Sequence, residues 1–515
     1  MAHHRPPRSS KRFYCAIAAA IILGIAPLLL LWACAIPLGE TGVLVYRYSP
    51  FFSARALSAA MLLPVFVVLL IVLHLLTSSL PSSRQKAGAT LYFVVIAIFA
   101  IWGWWAPPYP MGQHWFNFTS PSHDGAFLSE AEQIQSLPTY LRHFDKRLQM
   151  SKDDMRGTRI LSNTPGATIL AKWSIDLLGF PQPRSVAPTG DQLSSGEFFR
   201  IEHNYNALVF ASVCQMIWAL SFVAAYALGR LFLSPAGAFV FSLFAIFTPA
   251  SLTFSPGKDP AQLLTVCLML WAWFSAIKSN SIPRAALAGG LLVVSMIFGL
   301  VHAWIALAAF LASIWQAWAD GKISRMFLRQ TLPAALGAIA PVAVIFLLWR
   351  WNVLATFVAV GRRYSQVQKT LAFDLTHWRM IGIPLFLLFV GTGLWMLWGL
   401  HAMRLSRRHR ASHAAPARPT GFGLRLTLST IAVMLVCFLL GVPYELPRLW
   451  IVFIPLLVLG ACVDQPLFRG SSAHSKVVTA LSILVILHLV TTVLAWSALD
   501  VRESEYRLSS QRLFW

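Results

Sequence analysis

AALAGGLLVVSMIFGLVHAWIALAAFLASIWQAWA, residues 285–319, runs for 35 residues without a charged side chain. As a single helix it would reach about 52 Å at 1.5 Å per residue, against a bilayer core of about 30 Å. Lys278 and Arg284 precede it, and Lys322, Arg325 and Arg329 follow it. Basic residues collect on the cytoplasmic side of membrane proteins, so both flanks read as cytoplasmic and the stretch must cross twice. A tight turn is expected near Gly299 and His302.

Apolar runs of spanning length also recur near 13–36, 57–79, 89–106, 206–229, 235–253, 260–277, 331–350, 380–400, 426–442, 449–463 and 477–498. With the two halves of 285–319 they give an all-α polytopic membrane protein of about thirteen transmembrane helices. The composition agrees, with 57% hydrophobic and 12% charged residues in 515. The first run follows a basic start (Arg5, Arg8, Lys11, Arg12) and is about twice a usual signal h-region, so it reads as a retained helix. The formal charge of +22 fits lipid-headgroup contact. No basic run is interleaved with stacking aromatics, which argues against nucleic acid as a partner. Cys15, Cys34, Cys214, Cys267, Cys437 and Cys462 all fall in or beside apolar runs, so neither a disulfide framework nor a cysteine metal site is expected.

The basic segment RLSRRHRASHAAPARPTGFGLR (404–425), Arg84 with Lys86, Arg230 and the N-terminus are assigned to the cytoplasm by the same rule. The opposite face then receives the loop 107–205, the turn FSPGKDP (254–260), the loop 351–379, the turn VPYELPR (442–448) and the C-terminal tail. It also receives every acidic residue of the 19 except Asp320 and Asp464. The chain therefore divides into helices 1–3 (1–106), a non-cytoplasmic loop (107–205), helices 4–13 (206–498) and a non-cytoplasmic tail (499–515). The runs carry no Asp, Glu, Lys or Arg away from their ends, unlike most ion-coupled transporters. His74, His302 and His488 read as packed or hydrogen-bonded histidines.

A hundred residues between membrane helices is long for a connector, and such loops carry function or structure of their own. In SPSHDGAFLSEAEQI, Asp124 fits either a helix cap or a base. SLPTYLRHFDKRLQM places Tyr140, Leu141, Phe144 and Leu148 on one face, the pattern of an interfacial helix. In SNTPGATILAKW, Thr164 fits an N-cap and Pro165 the first helical position, and a helix start beside Asn163 and Gly166 can receive an anion. Lys258 and Asp259 sit in a rigid outer turn, as cation and carboxylate or as interface anchor and cap. Arg362 and Arg363 form a basic pair that can clamp a phosphate or contact headgroups. Glu445 and Arg448, three apart, read as a site pair or an internal ion pair.

HDGAFLSEAEQI, SNTPGATIL, SPGKDPAQ and ELPRLW, in this order among many apolar helices, resemble the GT-C superfamily of membrane glycosyltransferases, which includes protein O-mannosyltransferases and lipid A aminoarabinose transferases. The resemblance implies an inverting transfer of sugar from a polyprenyl-phosphate donor to a lipid, glycan or protein acceptor, in a plasma membrane such as the bacterial inner membrane. It makes Asp124 the base, with Glu40 of PLGETGVLVYRYSP as the alternative because the family commonly places its acid after the first helix. Lys258, Arg448 and Arg362 or Arg363 would meet the donor phosphate, and Asn163, Thr164, Gly166 and Glu445 the acceptor or anion. No cofactor is assigned, and a divalent metal stays open. The rival readings are a lipid-linked oligosaccharide ligase and a lipid or glycan flippase.

Overall fold

The computed structural model describes residues 40–41, 44–49, 52–77, 82–105, 118, 124–149, 160, 163–180, 201–370, 375–400, 421–440, 446–469 and 475–503, with scattered positions between 18 and 38. Most of the first apolar run and of the 404–425 segment, the side chain of Glu40 and all of Glu445 lie outside the described residues.

The chain opens with two short strands, β1 (Glu40–Thr41) and β2 (Leu44–Tyr48), followed by the helices α1 (Phe52–Ala60), α2 (Leu63–Thr77) and α3 (Ser82–Trp105). The long loop contributes α4 (Gly125–Gln133), α5 (Leu137–Arg142), α6 (Phe144–Gln149) and α7 (Gly166–Leu178). The bundle continues with α8 (Ile201–Gly229), α9 (Pro235–Ile246), α10 (Pro249–Thr253), α11 (Lys258–Ser279), α12 (Ile282–Phe298) and α13 (Val301–Ala319). Next come α14 (Ile323–Met326), a π-helical turn over Phe327–Thr331, α15 (Leu332–Trp349), α16 (Val353–Thr370), α17 (Leu375–Val390) and α18 (Thr392–Leu400). Last are α19 (Phe422–Leu439), α20 (Leu446–Leu449) with a 3-10 turn to Phe453, α21 (Ile454–Val463), α22 (Pro466–Arg469), α23 (Ser475–Ala498) and β3 (Leu499–Glu503).

Among the described residues, eight helices are long and apolar enough to cross a membrane, or ten if each of two bent pairs counts as one span. Large apolar side chains on their outer faces, such as Leu347 and Leu348 at 68% and 70% exposed, mark this as a membrane-embedded bundle rather than a water-soluble one. Together with the shorter apolar helices α9 and α12, these elements account for every apolar run of the sequence except the first.

The 285–319 stretch breaks where its charge flanks require. Gly299 ends α12 in extended conformation, and His302 Nδ1 lies 2.7 Å from the Gly299 carbonyl oxygen. The run 380–400 also breaks, with an 89° bend between α17 and α18. Gly391 takes φ +88 there, a left-handed conformation that costs little only without a Cβ, and a Cβ would meet Pro249 at 2.9 Å.

Strand β2 pairs antiparallel with both β1 and β3, so the segment after the first apolar run and the end of the chain share one small sheet. Arg55 of α1 is buried beneath it, donating to the Leu499 carbonyl at 2.6 Å and lying 5.6 Å over the Trp496 ring.

The face of α5 and α6 read from sequence as interfacial is covered by protein instead. Leu141 packs with Trp351, Val353 and Phe357, and Phe144 and Leu148 pack with Val360 of α16. The sequence specified an apolar stripe, and a protein surface satisfies it as well as lipid does.

Packing between α12 and α15 relies on backbone approach. A Cβ on Gly337 would lie 2.0 Å from the Ala286 carbonyl oxygen, whereas one on Gly290 would make an ordinary 3.5 Å contact. Gly337→Val is expected to destabilise the bundle by about 1–3 kcal/mol, the usual cost of overpacking. Gly290→Ala should leave the unfolding temperature of the detergent-purified chain unchanged.

Candidate functional site

Helix α11 begins at Lys258, and its first amides lack intrahelical acceptors. Its N-cap residue, Gly257, has no side chain to offer one. The acceptor comes from the long loop: Asp124 Oδ2 receives the Lys258 backbone N–H at 2.8 Å. A Cβ on Gly257 would meet the Phe254 carbonyl oxygen at 2.3 Å and Asp124 Oδ2 at 3.3 Å, so glycine is what lets the carboxylate approach. Asp124 stands at the N-cap position of α4 by chain order, yet makes no side-chain cap bond there. Through Oδ2 it caps a helix that begins 134 residues away, which leaves its reading as a base open.

This bond sets the direction of the Lys258 side chain. Its ammonium donates to Asn163 Oδ1, lies 5.0 Å from the centre of the Phe127 ring and sits 3.8 Å from Asp259 Oδ1. Asp259 is shared. Its Oδ2 faces Arg448 Nε at 3.2 Å, and its Oδ1 accepts from the Gln262 amide at 3.0 Å. Asp124, Lys258 and Asp259 are each less than a tenth exposed, and Arg448 is half-buried. Two carboxylates and two cations therefore meet in one place with their charges balanced, as burial demands.

Asp124, Asn163, Lys258 and Arg448, all expected from the sequence, thus belong to one cluster. Among the described residues Arg448 faces Asp259, and Glu445 lies outside the described residues. Arg362 and Arg363 are placed on α16, where Arg362 is exposed and Arg363 donates to Gln366 at 3.3 Å.

The start of α7 is shifted by one residue from its reading and is packed against α12. Pro165 holds the N-cap position, the Thr164 hydroxyl is buried and caps nothing, and Gly166 is pressed against α12. A Cβ on Gly166 would lie 2.4 Å from the Ile297 carbonyl oxygen. The small residue is needed because one helix start abuts another helix end. Gly166 is required for that close approach, and Asn163, just before these residues, reaches the cluster.

Gln262, one turn along α11 from Asp259, was not singled out from the sequence. Its backbone carbonyl accepts from Thr265, whose hydroxyl is 3.1 Å from His302 Nε2, so the Gly299 turn is joined to the cluster. A polar residue three after an acid at a helix start is a weak signal, and only the fold shows its aim. Among the described residues no group of three or more His, Cys, Asp or Glu is arranged to hold a metal.

A second ionic link braces the loop. Glu130, buried on α4, receives Arg147 Nε and Nη2 at 2.8 and 2.7 Å, a two-pronged pair. Burial pushes the Tyr140 phenol well above its ordinary value, the nearby Glu130 carboxylate adds to this, and the phenol stays protonated. Glu132 takes His203 Nδ1 at 2.8 Å and the Asn206 amide at 2.9 Å, fastening α4 to α8.

Arg147→Met strands a buried carboxylate and is expected to cost about 3 kcal/mol. Limited proteolysis of the loop should speed up in that variant and slow again when Glu130→Gln removes the stranded charge. No protein-family model matches the chain and no curated protein matches it, so the site is interpreted from its own geometry.

Proposed function

We propose that this chain is a membrane glycosyltransferase of the GT-C type, moving a sugar from a polyprenyl-phosphate donor to a lipid, glycan or protein acceptor on the non-cytoplasmic face of a plasma membrane. The observation that carries the reading is the meeting of Asp124, Asn163, Lys258, Asp259 and Arg448, from four separated segments, in one buried ionic cluster. Such a transfer needs a base for the acceptor proton and cations for the departing phosphate. In a single inverting displacement the acceptor oxygen bonds to the anomeric carbon as the bond from that carbon to the phosphate oxygen breaks. Asp124 takes the proton through Oδ1 while Oδ2 stays on the Lys258 amide. Lys258 and Arg448 turn from the Asp259 carboxylate to the phosphate, a group of the same charge sign and similar oxygen geometry. Asn163 steadies the ammonium during that exchange.

The same proposal takes thirteen crossings, with the N-terminus cytoplasmic and the C-terminus outside. Parity supports it. The Asp124 to Lys258 bond requires an even number of crossings between them, which α8 and the α9–α10 segment supply. The Asp259 to Arg448 pair requires an even number as well. It is met by α11, α12, α13, the α14–α15 span, α17 with α18 as one, and α19. If the short helix α9, or α12, or the bent pair alone failed to cross, residues in contact would lie on opposite faces.

Asp124→Asn separates cap from base. Asparagine still accepts the Lys258 amide, since it caps as well as aspartate, but it cannot take a proton. Transfer from a panel of polyprenyl-phosphate sugars should fall by about 10²-fold or more with unfolding temperature unchanged. Full transfer by that variant would remove Asp124 as the base. Arg448→Ala should raise KM for donor by about tenfold or more and leave KM for acceptor in place, corresponding to one charge-assisted contact of at least about 1.4 kcal/mol. An equal rise for both substrates would argue for a structural role instead.

A further inference from the structure

Helix α11 carries the candidate site at its first residue and ends, 22 residues later, beside a cavity of about 580 Å³. At 1.5 Å per residue the two are about 33 Å apart, one membrane thickness. The cavity plays no part in the transfer chemistry proposed above.

Its walls are of two kinds. One is aromatic: Phe232 stacks on Phe422 at 5.6 Å, and Phe274 meets both edge-on at 5.5 and 5.7 Å. Ile277 and Met326 extend this apolar side. The other is cationic, formed by Lys278 at the end of α11, with Lys322 and Arg325 at the start of the α14–α15 span. Among the described residues none of these three pairs with a carboxylate. Lys278 donates to the Leu231 carbonyl, and Arg325 reaches the Asn280 amide at 3.3 Å.

One carboxylate, Asp320, also lines the cavity, against the three cations. Both Asp320 oxygens accept from the Gln316 amide at 3.0 Å, and Gln316 Oε1 accepts in turn from the buried Arg425 at 2.6 Å. The local balance thus favours an anion. A second, separate feature marks the place. The helix entering α15 opens into a π-helical turn over Phe327–Thr331, a distortion that recurs at functional sites. It carries Gln330, 4% exposed, to 2.9 Å from Asn280 at the cavity wall.

We propose that this cavity binds a phosphate ester through Lys278, Lys322 and Arg325, and that the ester is the headgroup of an anionic glycerophospholipid whose chains start along the Phe232, Phe274 and Phe422 wall. Its volume exceeds what an inorganic phosphate fills and lies in the range of small-molecule sites. A soluble ester would leave the aromatic wall bare. A neutral or zwitterionic lipid would leave the excess cations unmatched.

The test uses the full-length chain purified in detergent and titrated with phosphatidylglycerol, phosphatidylcholine or glycerol 3-phosphate, counting bound lipid by native mass spectrometry. Wild type should retain one phosphatidylglycerol at concentrations where phosphatidylcholine is lost, and glycerol 3-phosphate should not displace it. Lys322→Ala with Arg325→Ala should weaken retention about tenfold. The exposed side chains at both positions make a folding defect easy to detect by unfolding temperature, and the single variants Lys322→Gln and Arg325→Gln should each give an intermediate loss. Arg84→Ala with Lys86→Ala removes equal charge on α3, away from the cavity, and should retain lipid as wild type does. Undiminished retention in the Lys322 and Arg325 variants would overturn the site, as would equal loss in the Arg84 and Lys86 control or equal retention of phosphatidylcholine. Displacement by glycerol 3-phosphate would overturn the lipid as the carrier of the ester.

Discussion

One hydrogen bond, from the Lys258 backbone to Asp124, fixes the relation between the long loop and the helical bundle. Its cause is general. A helix start buried in a protein must find acceptors for its first amides, and glycine at the N-cap cannot supply one. The acceptor has to arrive from elsewhere, and a carboxylate also suits the positive end of the helix dipole. Once Asp124 is docked, α4 follows, Phe127 comes under the Lys258 ammonium, and the Lys258 side chain is left pointing at Asn163.

The ionic cluster that results is poor material for stability and good material for exchange. Burying ions costs several kcal/mol each, and pairing them about restores the balance. Asp259 lies against both Lys258 and Arg448. In the proposed transfer, an incoming phosphate would meet cations already desolvated and paired with a carboxylate that can release them. An apolar cluster of the same shape would be no less stable and would have nothing to offer an anion.

The parts legible in the sequence were those fixed by short-range patterns. Hydropathy located the membrane helices that are described, and the basic flanks of 285–319 located the break at Gly299. Charge sorting grouped Asp124, Lys258 and Arg448 on one face before any contact was known. The misread features all depended on which partner a residue meets. Thr164 and Pro165 have the residue types of a capped helix start, but the carbonyl end of α12 against Gly166 decides the geometry. The stripe on α5 and α6 could have been covered by lipid, and α16 covers it. Arg448 reaches Asp259, 189 residues before it in the chain, a pairing that local spacing does not reveal. In each case the sequence defined a need and left open what would meet it.

Helix α4 shows how far the loop depends on such partners. At nine residues it is too short to persist alone in water, since helices below about 12–15 residues are marginal. Its apolar face, Phe127, Leu128 and Ala131, packs into a small core with Phe210 and Cys214 of α8 and Ala171 and Ile175 of α7. Around that face three carboxylates fan out in different directions. Asp124 goes to α11, Glu130 to Arg147 of α6, and Glu132 to His203 and Asn206 of α8. None of the four described buried cysteines forms a disulfide that could fix the loop covalently, so ionic links do that work. Because all three acids sit on or beside one short helix, a strain at Glu130 or Glu132 is passed to Asp124 through α4 as a body. The carboxylate at the site is therefore positioned by two others that never touch it.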